Sequence, residues 1–139
     1  MGNAFWLFTA LPKWFFSSVL SPFSAGALTL IPAIGTVCLV LGVVLAIRLR
    51  IGALWTFAIP ALISQVFVAI AGYFRGAFTN SSAGPILTGF LTIQMALSFY
   101  LVYRQRKQWP PASLLAVFNI AYALYAWFIA TMAFTDQWL

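Results

Sequence analysis

The chain has 139 residues, 64% of them apolar and 6% charged, with a mean hydropathy of +1.03. A soluble domain is about half apolar and roughly a quarter charged, so a water-soluble fold is excluded. Seven Lys and Arg face a single acid, Asp136, and with no Glu, no His and one Cys the chain lacks the residue types on which most acid–base and metal chemistry rests.

Residues 1–27 are rich in rings, with Phe5, Trp6, Phe8, Trp14, Phe15 and Phe16, and are interrupted by Pro12 and Lys13. No basic residue precedes Lys13, which argues against a cleaved signal peptide. Trp6 stands where the myristoylation pattern needs Ser or Thr. This segment is expected to lie in the outer membrane interface, its rings at headgroup depth and Lys13 reaching water. Pro22, Ser24, Ala25 and Gly26 then separate it from a transmembrane domain over 28–139.

The charged residues are spaced so that 14–47, 51–74, 76–103 and 108–135 are free of charge. Each interval exceeds the roughly 20 residues that a helix needs to cross the hydrocarbon core. Their hydrophobicity is unbroken, without the alternation of barrel strands, so the fold class is an all-α integral membrane protein. Four spans are predicted at about 28–49, 52–73, 85–104 and 112–134, arranged as two antiparallel helical hairpins because the first and second, and the third and fourth, are joined by short basic connections. Pro110 and Pro111 suit the start of the fourth span, where a missing N–H costs nothing. Thr79 to Gly84 reads as a polar turn, with Pro85 opening the third span.

Arg48, Arg50, Arg104, Arg106 and Lys107 lie in the two connections on one side, and Arg75 and Lys13 fall on the other. The positive-inside rule puts the five-charge side in the cytoplasm and both termini outside, with Trp138 as an anchor beyond the fourth span. The setting is a plasma or bacterial inner membrane.

Gln65, Gln94 and Asn119 fall within the second, third and fourth spans, and each is expected to face protein, since an unpaired amide in lipid is costly. Gln94 and Asn119 lie at similar depth and are expected to meet across the second hairpin, with Gln65 about one turn further out. Two readings stay open: hydrogen-bonding glue between helices or a polar ligand site at mid-membrane. In the fourth span Asn119, Ala123, Ala126, Ala130 and Ala133 share one helical face that can approach another backbone closely, in this chain or another. Gly72 and Gly76 form a GxxxG match near the membrane boundary. Cys38 is expected to be a small buried hydrophobe. Arg75 reads as an interfacial anchor or as an anion contact at an outer vestibule. Arg104, Arg106 and Lys107 determine topology and attract anionic membrane lipid. No soluble basic domain is present to carry nucleic acid.

Over 85–104 a short stretch, Pro85, Gly89, Gln94, Tyr100, Tyr103 and Arg104, resembles the third helix of the SWEET and PQ-loop transporters. The defining Pro-Gln pair of that family is missing here, and four spans differ from its three-helix unit. The resemblance implies a passive carrier for a small polar solute, assembled from more than one chain. Against it stands the function expected from the remaining features: a chain that is not an enzyme, binds no cofactor and acts by helix packing as an accessory, assembly or stabilising subunit, with another membrane protein or itself as partner.

Overall fold

The computed structural model describes residues 2–20, 27–50 and 54–136. Among them the chain is all-helical: α1 (Gly2–Leu20), α2 (Ala27–Arg48), a 3-10 turn (Leu54–Phe57) leading into α3 (Ala58–Tyr73), α4 (Asn80–Arg104), and a second 3-10 turn (Arg106–Gln108) leading into α5 (Trp109–Thr135). Four stretches are long and apolar enough to cross a membrane: Leu30–Arg48, Trp55–Tyr73, Ser82–Arg104 and Arg106–Thr135. The expected break at Pro22, Ser24, Ala25 and Gly26 and the Trp138 anchor lie outside the described residues.

Local chemistry explains where the helices begin. The 16 residues of α3 rise only about 24 Å, and the preceding 3-10 turn adds about 8 Å, which together match the roughly 30 Å of hydrocarbon. Pro60 occupies the third position of α3, where its missing N–H has no intrahelical partner to lose. Thr79 caps α4, which begins at Asn80, five residues ahead of Pro85. It forms a capping box with Ser82, and its N–H donates to Ser82 Oγ at 3.0 Å, so the polar run expected as a loop is the cap and first turn of a helix. Trp109, Pro110 and Pro111 likewise form the first turn of α5.

α5 is the axis of the bundle. α2, α3 and α4 all pack along it, α1 lies against α2 and α3, and α2 and α3 scarcely touch. The first two spans are therefore not a packed hairpin, although they are adjacent in sequence. Lipid supplies no hydrophobic drive between helices, so the surfaces that pair are those that approach most closely. Gly35 and Gly42 give α2 such a surface toward α5. A Cβ at Gly35 would meet Ala121 Cβ at 3.0 Å and Phe15 Cζ at 2.9 Å, and one at Gly42 would meet Leu115 Cγ at 2.9 Å.

α1 is a packed helix. Leu7, Leu11 and Phe15, spaced i, i+4, i+8, are buried. Phe8 lines a shallow depression with Ile70 and Tyr73 of α3 and Phe74 just beyond it. The Phe15 ring stands edge-on to Phe118, Tyr122 and Tyr125 at centroid distances of 6.0, 5.0 and 5.5 Å. Those three rings belong to the middle of α5, so α1 enters the bundle, which differs from a segment whose rings all stay at headgroup depth. Lys13 remains exposed.

Five basic residues gather at one end. Arg48 ends α2 and Arg50 follows it, Arg104 ends α4, and Arg106 and Lys107 lead into α5. At the opposite end the connection between α3 and α4 closes the last turn of α5. Gly76 N–H donates to Ala133 O at 3.1 Å and Phe78 N–H to Phe134 O at 3.3 Å. Both carbonyls lie in the last turn, where no i+4 donor is left within the helix; Ala133 O also accepts the Asp136 N–H at 3.4 Å, and the loop supplies the other donors.

Candidate functional site

Where α4 and α5 meet the first turn of α3, polar side chains come together deep in the bundle. Gln94 of α4 and Asn119 of α5 are both 1% exposed. Gln94 Nε2 donates to Pro60 O at 3.3 Å, and Asn119 Nδ2 donates to Phe57 O at 3.1 Å. Phe57 ends the 3-10 turn and Pro60 lies three residues on in α3, so both amides grip the junction where α3 begins. The expected contact between Gln94 and Asn119 is thus replaced by two contacts to backbone. A carbonyl has two lone pairs and can accept a side-chain donor beside its helical partner; at Pro60 O the Gln94 amide shares that second position with the Ser64 hydroxyl, which donates at 3.0 Å. Gln65 stands apart, its Nε2 donating to the Tyr122 hydroxyl at 3.3 Å.

The amides are only half used. Gln94 Oε1 and Asn119 Oδ1 have no hydrogen-bond partner, and neither has the Ser98 hydroxyl, which lies one turn along α4 on the face of Gln94. Each such buried acceptor costs about 1–3 kcal/mol. The junction therefore presents neutral oxygen acceptors, held in place by donors that are already committed. It can hydrogen-bond a neutral donor and has no group that titrates. Among the described residues no three His, Cys, Asp or Glu side chains cluster. Ser98 has a signal in the sequence, four residues from Gln94, the spacing that places side chains on one face, whereas Ser64 has none, because its partner is the backbone carbonyl of Pro60.

The alanine face of α5 is internal. Ala123, Ala126, Ala130 and Ala133 are 0–1% exposed, so this stripe serves the contacts of the chain with itself. Cys38 is partly buried against the same core. Gly72 is buried and Gly76 exposed. Gly76 takes a φ of +68°, which fits a turn residue rather than the end of a GxxxG packing face. Arg75 is paired, its Nε lying 2.6 Å from Asp136 Oδ1. Arg48, Arg50, Arg104, Arg106 and Lys107 are exposed, and the Arg106 guanidinium lies 5.6 Å from the centre of the Tyr103 ring.

The larger depressions are apolar. One of about 590 Å³ lies between α2 and α3 over α5 and is lined by Leu39, Val43, Trp55, Ala61, Leu115 and Phe118 among others. Another of about 410 Å³ lies between α3 and α4, lined by Ile63, Phe67, Pro85, Gly89, Phe90 and Ile93 among others. A feature not visible from composition is the outward face of α4. Pro85, Gly89, Thr92 and Ala96 are all exposed, and a Cβ at Gly89 would meet nothing within 4 Å.

Compared with protein-family models, with curated proteins and with solved structures, the chain matches none.

Proposed function

We propose that this chain is an accessory, assembly or stabilising subunit of a membrane complex, acting through helix packing against another membrane protein or copies of itself. The observation that carries this reading is the outer face of α4, where Pro85, Gly89, Thr92 and Ala96 recur at i, i+4, i+7 and i+11 and remain exposed. Helices in lipid associate through close backbone approach at small residues, and α4 packs extensively only on α5. The alanine face of α5 cannot play this part, being enclosed. In this reading the five-charge end is cytoplasmic and both termini lie on the other side, in a plasma or bacterial inner membrane. The chain has no catalytic role of its own, since its Ser, Thr and Tyr hydroxyls lack a base to activate them.

A second reading, an oligomeric passive carrier for a small polar solute, is favoured by the unpartnered oxygens of Gln94 and Asn119. Gly89→Leu combined with Ala96→Leu separates the two. For a packing subunit, the double variant folds but no longer co-purifies with its partner, and Gln94→Leu retains the partner. For a carrier, Gln94→Leu abolishes solute flux in vesicles while assembly persists.

A further inference from the structure

The gap between α2 and α3 is filled along only part of its length. On the side away from the basic end, α1 occupies it, with Phe15 packed between Gly35 and the rings of Phe118 and Tyr122. Toward the basic end the filling stops at Phe118. From there the cleft of about 590 Å³ opens over Leu115, walled by Leu39 and Val43 of α2 and by Phe57, Ala58 and Ala61 of the opposite segment. That volume is within the range of about 300–1,000 Å³ typical of sites for small ligands. The lining is apolar, which fits a hydrocarbon chain.

The cleft runs toward the basic end of the bundle, where α2 ends. Arg48 lies five residues beyond Val43, about 7.5 Å along the helix, and Arg50 follows it with a left-handed backbone at φ 52°. Both are exposed, and among the described residues no carboxylate pairs with either. Trp55 lines the cleft while 68% exposed, as indole does where apolar and polar regions of a bilayer meet. An apolar slot that runs toward the basic end of the bundle and carries an indole at its rim matches an anionic phospholipid, its acyl chain in the slot and its phosphate at the level of Arg48 and Arg50, where Arg50 begins the connection that crosses from α2 toward the 3-10 turn. A zwitterionic lipid offers the same chain and phosphate, but its headgroup cation opposes the basic end.

We infer that the cleft between α2 and α3 is a binding site for one anionic phospholipid, whose acyl chain takes, at the basic end of the bundle, the place that α1 takes further along. The bound chain joins two helices that scarcely touch each other. This inference stands independently of any partner for α4 and of which side of the membrane the basic end faces.

Native mass spectrometry of the full chain in mild detergent, titrated with phosphatidylglycerol or phosphatidylcholine, tests it. One phosphatidylglycerol is expected to be retained with a preference of about tenfold or more, given the attraction of two basic residues. Arg48→Gln with Arg50→Gln removes the preference, and Arg104→Gln with Arg106→Gln leaves it in place. Ala58→Phe, at an exposed position on the cleft wall, lowers retention of both lipids, and Val43→Phe does the same from the facing wall. Glycerol phosphate, which carries the charge without the chain, does not compete. Equal retention of the two lipids overturns the inference. So does loss of preference in the Arg104 and Arg106 variant alone, unchanged retention in both cleft variants, or displacement by glycerol phosphate.

Discussion

Asp136, the only acid in the chain, lies with its Oδ1 2.6 Å from Nε of Arg75, 61 positions earlier. The pair ties the connection between α3 and α4 to the C-terminus of α5, where Arg75 also offsets the negative end of the helix dipole. Both side chains are about half exposed, at 42% and 52%, so water and salt weaken the attraction. Asp136→Asn or Arg75→Gln should therefore cost no more than about 1 kcal/mol. Thermal unfolding in detergent, with the double variant matching the singles within about the same margin, checks this.

Gly76, next to that pair, matters more. Its φ of +68° and its N–H bond to Ala133 O call for a residue without a Cβ, and Gly76→Val should cost about 1–2 kcal/mol from the left-handed backbone alone. The same melts measure it, and a loss below that of Asp136→Asn would show that the turn relaxes.

Gly42→Val places carbon where Leu115 and Leu114 already stand. It should destabilise the bundle by about 1–3 kcal/mol through overpacking and loosen α2 from α5. Gly89→Ala, with open space around it, should leave the isolated chain as stable as the parent. A cross-linking assay between cysteines placed in α2 and α5, together with melting of both variants, distinguishes the two sites.

Ala126→Leu and Ala130→Leu should unfold or aggregate the chain itself, because both positions are 0% exposed and offer no room for three more carbons. Size-exclusion chromatography of the purified chain reads this directly. Well-folded double variants would mean that the α5 face is open in the native protein.

Much of this architecture is legible in the sequence for one reason: a charge in hydrocarbon is so costly that the gaps between charges locate the four spans. What charge spacing does not reach is the pairing of helices. Gly35 and Gly42 bring α2 onto α5, and no local signal says that they face Ala121 and Leu115 rather than α3. α1 is obscured because Pro12 and Lys13 break its apolar run, although Leu7, Leu11 and Phe15 already share a face. The buried amides are legible as residues that must face protein. Their partners are not, since Phe57 and Pro60 contribute backbone carbonyls that every residue owns. The start of α4 at Asn80 shows how a Thr-x-x-Ser cap outweighs the expectation that Pro85 opens the helix.

Purification of the unmodified chain from its native membrane in mild detergent, followed by native mass spectrometry of everything that remains bound, bears on the subunit reading without any substitution. A stoichiometric second membrane protein, or a defined oligomer of this chain, is the predicted result. A monomer without any protein partner under those conditions contradicts it.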